Sequence, residues 1–205
     1  LGKAPLEILK AAALTSAAVA LLACTVILEV MGGHRALSAA EREEARRIFG
    51  TAIDLDRVKV AVASLPANVI NHLNGDRPFT SMYIINFGRD AVVEMPVLIH
   101  ELAHVWQGVQ QGPLYMTRAL EAQLSAGLGE LFHTGTYDDS AAYVVSESQL
   151  RANAGDFGKF NPEQQAWIVE HYWRQQFGRQ TSTDWPAASA LEVYARQVFQ
   201  GRETP

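Results

Sequence analysis

The sequence contains very little cysteine and has no concentrated block of basic residues. Cys24 is the single cysteine among 205 residues, so the chain has no internal disulfide and no metal-binding CxxC pattern. Lysine and arginine together number 17 against 22 aspartates and glutamates, which gives a formal net charge of -5. Because the sequence has no cluster of lysines and arginines that would contact a row of phosphates, nucleic acid is not an expected partner.

Long apolar runs are also scarce. Residues 11–28, AAALTSAAVALLACTVIL, carry no charge over 18 positions, which just reaches the lower limit for a membrane span. Its alanines and the polar Thr15, Ser16 and Thr25 argue against spanning, and it has no basic flank or cleavage site of a signal peptide. Two alternatives stay open for this segment, a long buried helix and a helix that contacts a membrane.

The remaining composition is that of a globular protein, with 48% hydrophobic and 19% charged residues. Gly32-Gly33 ends the apolar segment. We therefore divide the chain into an apolar, helical N-terminal segment (1–33) and one folded domain (34–205). The chain begins without methionine, and we expect it to be part of a larger protein.

Hydrophobic periodicity and capping signals predict an α+β fold that is mostly helical with a small sheet. Ser38 and Glu41 form a capping box, Pro96 suits a first helical turn, and Asn161 with Gln164 forms a second box. The predicted helices cover residues 38–50, 96–111, 114–131, 161–178 and 186–200, and the predicted strands cover 57–64 and 81–88. Residues 133–160 look mostly irregular, with a helical turn near 142–151.

The stretch VLIHELAHVWQ (97–107) holds two histidines four apart and a glutamate directly after the first. Positions four apart share one helical face, so His100 and His104 can supply two nitrogen ligands to zinc. Glu101, about 100° around the helix from His100, can act as the general base for water that zinc acidifies. A buried polar cluster without such a partner would cost several kcal/mol. We therefore predict a Zn2+ cofactor.

The third ligand does not follow from the motif itself. The longer pattern that adds glycine and a third histidine is excluded, because Gln107 and Gln110 occupy those positions. A glutamate on a later helix is then expected, and the candidates are Glu121, Glu130, Glu147, Glu163 and Glu170. Glu163 is favoured, since the positive end of a capped helix stabilises an ionised carboxylate there. Glu147 is the second choice.

A group that stabilises an oxyanion is also expected in a hydrolase. His171 and Tyr172 are the first candidates, because they follow Glu163 by about two helical turns. Tyr143 and Tyr137 are further candidates. By analogy with zinc peptidases in general, the strand containing MYIIN (82–86) is predicted to form the edge of the substrate cleft.

Four stretches together resemble a bacterial family of zinc metallopeptidase domains: LSAAEREEARRIFGTAIDLDRVKV, RPFT, VLIHELAHVWQ and NPEQQAWIVEHY. Its members look like the toxin domains carried at the C-terminus of VgrG spike proteins of type VI secretion systems. The similarity covers residues 35 to about 175, and HELAHVWQ and EQQAWIV are its most specific parts. It implies a zincin-like fold with His100 and His104 as ligands, Glu101 as base and Glu163 as third ligand.

The predicted function is that of a zinc-dependent metallopeptidase acting on a peptide or protein substrate. The resemblance further implies a secreted effector domain of a larger spike protein, delivered into the periplasm of a target cell or into a host. Two alternatives stay open, a metal-stabilised binding module without catalysis and a zinc hydrolase acting on cell-wall peptide. Glu101 favours catalysis over the binding module, because a purely structural metal site needs no carboxylate at that position.

Overall fold

The structure, a computed structural model, describes residues 33–62, 78–88, 90–112 and 142–199. In these ranges the chain is α+β, as predicted, with five α-helices and a four-stranded mixed sheet. The strands are β1 (His34–Ala36), β2 (Lys59–Val62), β3 (Phe79–Ser81) and β4 (Ile84–Phe87). The helices are α1 (Ala39–Phe49), α2 (Met95–Gln111), α3 (Glu147–Asn153), α4 (Pro162–Gln176) and α5 (Ala188–Phe199).

Of the predicted helical segments, residues 1–32 and 114–131 lie outside the described residues. The prediction that residues 11–28 contact a membrane concerns the first of these segments. Within the described ranges, no helix has both the length and the apolar character that a membrane crossing requires. A short 3-10 helix, Phe157–Lys159, leads into α4.

The local capping signals in the sequence set the ends of the main helices. Ser38 caps α1 and Asn161 caps α4, and in both capping boxes the side-chain and backbone hydrogen bonds are formed. Pro96 lies in the first turn of α2, where a missing N–H costs nothing. Gly50 and Gly112 follow α1 and α2 with φ of 51° and 68°, which a residue without Cβ adopts most easily.

The strand prediction for 81–88 was wrong in one respect, because this region contains a turn. β3 pairs antiparallel with β4, and the register of Ser81 with Ile84 leaves only Met82 and Tyr83 between the strands. Met82 takes a φ of 55°. The turn was missed because neither position holds the glycine, asparagine or aspartate that usually indicates a two-residue hairpin.

The predicted cleft edge was also wrong. The strand order is β1-β2-β4-β3, so β4 lies inside the sheet, parallel to β2 and antiparallel to β3. Its backbone groups are shared with two neighbours, and the edge strand beside it is β3. Sequence periodicity cannot give this order, because it carries no information on which strands pair.

The helical turn predicted near 142–151, within the mostly irregular stretch, is present as α3 and covers Glu147–Asn153. Ser146 caps this seven-residue helix and forms a capping box with Gln149. The signal was present in the sequence, but a helix of two turns is too short to show apolar periodicity. Only Leu150 is buried on it.

Helix α2 lies at the centre of the described fold. It packs against α4 most extensively, and also against β3, β4 and α1, while α5 packs against α4 and α1. Leu98, Ile99 and Leu102 on α2 are fully buried, and burying each such side chain contributes about 1.5–3 kcal/mol. Because α2 is apolar nearly all round, the HELAH segment lies in the protein interior.

Candidate metal centre

His100 and His104 on α2 converge with Glu163 on α4. The Nε2 atom of His100 lies 3.3 Å from Oε2 of Glu163, and Nε2 of His104 lies 3.3 Å from the same oxygen. The two imidazole rings are 5.1 Å apart, nearly edge to face. The structure therefore brings together the two histidines of the motif and the glutamate favoured as their partner.

The position of Glu163 follows from local sequence and from helix packing. Asn161 caps α4 and Pro162 begins it, which places Glu163 in the first turn, at the positive end of the helix. The α2–α4 contact then buries its side chain, which is 4% exposed. Burial alone would raise the pKa of Glu163, but attraction to His104 and His100 outweighs it and holds this pKa far below the usual range.

The three ligand atoms suit a small divalent cation. One ligand atom from each residue can be chosen such that all lie within 4.8 Å of one another. In a tetrahedral zinc site with bonds of about 2.0–2.1 Å, neighbouring ligand atoms lie roughly 3.3–3.4 Å apart. Both nitrogen–oxygen distances of 3.3 Å match this edge, and they exceed the roughly 2.7–2.9 Å of a good charge-assisted hydrogen bond. Two neutral imidazoles and one carboxylate fit zinc.

His100 is held on its other ring nitrogen by Glu170. Its Nδ1 lies 3.0 Å from Oε2 of Glu170, and Arg174 donates two hydrogen bonds to Oε1 of the same carboxylate, at 2.8 and 2.7 Å. Glu170 was one of five candidates for the third ligand. Nδ1 and Nε2 point to opposite sides of the imidazole ring. Glu170 therefore contacts His100 on the Nδ1 side, whereas Glu163 lies on the Nε2 side.

His104 is held by a neutral group. Its Nδ1 lies 2.8 Å from Oε1 of Gln107, one turn further along α2. Gln107 is fully buried, with 0% of its side chain surface exposed. The sequence analysis used Gln107 only to exclude the longer histidine pattern. Its i+3 spacing from His104 is the signal that could have indicated this contact.

The acidic neighbours decide the charge of the histidines. Burial would lower the pKa of His100, but hydrogen bonds to Glu163 and Glu170 raise it to about 10. Burial likewise opposes charge on His104, yet attraction to Glu163 raises its pKa as well. The two glutamates therefore favour a positive charge between the histidines and Glu163, which bound protons or a metal cation can provide.

Glu101 lies on the β3 side of α2. It is buried, with 4% exposure, and its Oε2 accepts a hydrogen bond of 2.7 Å from the Thr80 hydroxyl. The same hydroxyl lies 3.2 Å from the backbone oxygen of Glu101. Thr80 was not singled out in the sequence, because its contact with Glu101 exists only after β3 packs on α2.

His171 and Tyr172, the first candidates for stabilising an oxyanion, both pack against other aromatic rings. His171 is stacked on Trp167 at 3.7 Å between ring centres, contacts Trp185 at 4.7 Å, and has Nδ1 2.9 Å from the Trp167 carbonyl oxygen. Tyr172 packs against Phe177, and burial and the charge of Glu192 raise its pKa.

Tyr143 is the tyrosine candidate that the structure places beside the cluster, with its ring centre 6.4 Å from that of His100. Tyr137 lies outside the described residues. Glu147, the second choice for third ligand, is exposed and pairs with Arg151 at 3.0 Å.

Comparison with known proteins gives no assignment for this site. No protein-family model, no curated protein and no solved structure matches the chain. What the site does must therefore follow from its own residues.

Proposed function

We propose that this chain is a zinc-dependent metallopeptidase with a zincin-like fold. His100, His104 and Glu163 would hold the metal, and Glu101 would act as the general base. The observation that carries the proposal is the single carboxylate oxygen of Glu163 placed 3.3 Å from both Nε2 atoms. Two histidines with one glutamate form a recognised ligand set of catalytic zinc, in which the fourth position stays open.

The residues around this cluster suit hydrolysis of a peptide bond. When bound, zinc supplies a Lewis acid that polarises a carbonyl group and lowers the pKa of water to about 7. Glu101 would accept a proton from the attacking water and return it to the amine that leaves when the C–N bond breaks. The Thr80 hydroxyl holds the Glu101 carboxylate in place at 2.7 Å. We propose Tyr143, whose ring centre lies 6.4 Å from that of His100, as the hydrogen-bond donor to the oxyanion.

A pair of measurements tests the proposal. Metal analysis of the purified protein should find about one zinc per chain, and both His100→Ala and His104→Ala should lose it. The exposed His34 on β1 provides the matched control, since His34→Ala should keep the metal. Glu101→Gln should retain zinc and lose hydrolysis of a peptide library by at least about 100-fold, as expected for a lost general base.

The outcomes separate the alternatives. A wild-type protein without zinc after purification in zinc-containing buffer would contradict the metal site. Zinc binding with no cleavage of proteins or cell-wall peptides, by wild type and Glu101→Gln alike, would instead indicate a metal-stabilised binding module. Cleavage confined to cell-wall peptides would identify the other hydrolase alternative.

The resemblance noted in the sequence supports a further part of this proposal, that the domain is an effector carried by a type VI secretion spike protein. Expression directed separately to the cytoplasm and to the periplasm of a bacterium tests it. Toxicity in one compartment that disappears with Glu101→Gln is the expected result. Equal growth of wild type and variant in both compartments would contradict an antibacterial role.

A further inference from the structure

A chain of buried amide hydrogen bonds connects His104 to three peptide carbonyls. His104 contacts Oε1 of Gln107, and Nε2 of Gln107 donates to the Pro162 carbonyl at 2.9 Å and to Oε1 of Gln165 at 3.0 Å. Gln165 in turn donates from its Nε2 to the carbonyls of Phe157 and Phe160, at 3.0 and 3.1 Å. We call Gln107 and Gln165 the amide relay.

The carbonyls of Phe157 and Phe160 fix the direction of every hydrogen bond in the amide relay. A peptide carbonyl can only accept, so the NH2 group of Gln165 must face Phe157 and Phe160 and its oxygen must face Gln107. Gln107 therefore turns its own NH2 group to Gln165 and its oxygen to His104. An amide oxygen can only accept, so Nδ1 of His104 must carry the proton.

We propose that Gln107 and Gln165 are positioning residues that hold His104 as the Nδ1–H tautomer, with Nε2 presented to the metal beside Glu163. The proposal rests on the metal site proposed above and adds residues that contact no metal. The proposed tautomer follows from the direction of these hydrogen bonds. The carbonyls of Phe157 and Phe160 fix the orientation of Gln165, Gln165 fixes that of Gln107, and Gln107 accepts from His104.

The amide relay also acts on the second ligand. Pro162, whose carbonyl accepts from Gln107, directly precedes Glu163 in the first turn of α4. One buried side chain on α2 therefore sets the imidazole of His104 and ties down the backbone next to Glu163. Because Gln107 is fully buried, breaking either bond leaves a polar group without water, which keeps the arrangement rigid.

The first test measures zinc affinity by competition with a chelator. Gln107→Leu should raise the zinc Kd by about 10–100-fold, the usual effect of removing a hydrogen-bond partner from a metal-binding histidine. Gln165→Leu should raise it as well, although Gln165 touches no ligand. Gln175→Leu is the matched control, since Gln175 lies on α4 and donates to the Pro186 carbonyl outside the relay. Its Kd should equal that of wild type.

The second test reads the tautomer directly and does not depend on Gln107→Leu. In wild-type protein with 15N-labelled histidine and bound 113Cd, coupling to cadmium should appear at Nε2 of His104, and Nδ1 should retain a proton protected from exchange. Gln165→Leu should weaken this protection, while Gln175→Leu should not. If Gln107→Leu fails to fold, these two measurements still decide the question.

Two results would overturn the proposal: cadmium bound through Nδ1 of His104, or Gln165→Leu with the Kd and proton protection of wild type. Failure of the metal site itself gives a different result, because wild type would then bind neither zinc nor cadmium. In that case the tautomer of His104 is read from 15N shifts at alkaline pH, where the imidazole is neutral. A proton on Nδ1 supports the relay and a proton on Nε2 overturns it.

Discussion

Nδ1 of His100 lies 3.0 Å from Oε2 of Glu170, a residue 70 positions later in the chain. The other oxygen of this carboxylate is occupied by Arg174. The two histidines of the candidate metal centre therefore have different partners: His100 contacts an anion paired with arginine, and His104 contacts a neutral amide.

Removing Glu170 should weaken metal binding without removing a ligand. We expect Glu170→Ala to raise the zinc Kd by about 10–100-fold, because His100 loses the group that orients its ring. Chelator competition measures the effect. Glu192→Ala is the matched control, since Glu192 also pairs with an arginine four residues on, Arg196, and is paired with no histidine of the described ranges. Equal zinc affinity of the two variants would contradict a role for Glu170 at the site.

The third ligand can be tested by comparing two glutamates in first helical turns. Glu163→Ala should reduce bound zinc well below one per chain, because one of three protein ligands is lost. Glu147→Ala should leave the zinc content unchanged, since Glu147 is exposed and pairs with the surface residue Arg151. Metal analysis after dialysis measures both. Zinc lost from Glu147→Ala and kept by Glu163→Ala would reverse the assignment.

Thr80 should matter for stability through its contact with Glu101. Thr80→Val keeps the shape of the side chain but removes the hydroxyl that donates to this buried carboxylate. We expect the free energy of unfolding to fall by about 1–3 kcal/mol, the cost of leaving a buried polar group without its partner. Thr80→Ser, which restores the hydroxyl, should recover most of the loss. Denaturant unfolding measures both variants, and a Thr80→Ser protein as unstable as Thr80→Val would argue against the hydrogen bond.

The ion pair between Glu41 and Arg35 should make the stability of the fold sensitive to acid. Both residues precede those of the candidate metal centre by more than 50 positions. Hydrogen bonds from Arg35, and then from Ser38, hold the pKa of Glu41 below its ordinary value of 4.5. A carboxylate with a lowered pKa stabilises the fold above about pH 4.5, and this contribution is lost as the pH falls through the folded-state value.

The matching experiment compares Glu41→Gln with wild type by denaturant unfolding between pH 3 and 7. At pH 7 the variant should be less stable by about 0.5–1 kcal/mol, the range for a partly exposed ion pair and helix cap. The difference should shrink below about pH 4.5, where wild type also loses the charge. Glu43→Gln, which breaks the exposed pair with Arg47 on the same helix, should show a smaller difference. A gap that stays constant with pH would contradict the ionic contribution.

Much of the local structure was predictable from the sequence. The ends of α1, α2 and α4 follow from Ser38, Pro96 and Asn161, because caps act within one helical turn. The apolar surroundings of His100 and His104 also predicted a buried helix. Strand pairing is harder to predict from the sequence. The hairpin between β3 and β4 resembles one continuous strand in the sequence, because its turn lacks the usual glycine, asparagine or aspartate.

Of the candidate site, the sequence by itself determined what lies on one helix. His100, Glu101 and His104 are placed by the 3.6-residue repeat, which needs no other element. Glu163, 63 residues from His100, could be ranked among several glutamates by its helix position but not assigned to the cluster. Only the packing of α4 against α2 decided that Glu163 faces both Nε2 atoms, that Glu170 contacts Nδ1 of His100, and that Gln107 donates to Pro162 and Gln165. These contacts join groups distant along the chain, and their geometry depends on how two helices pack, which local propensity does not encode.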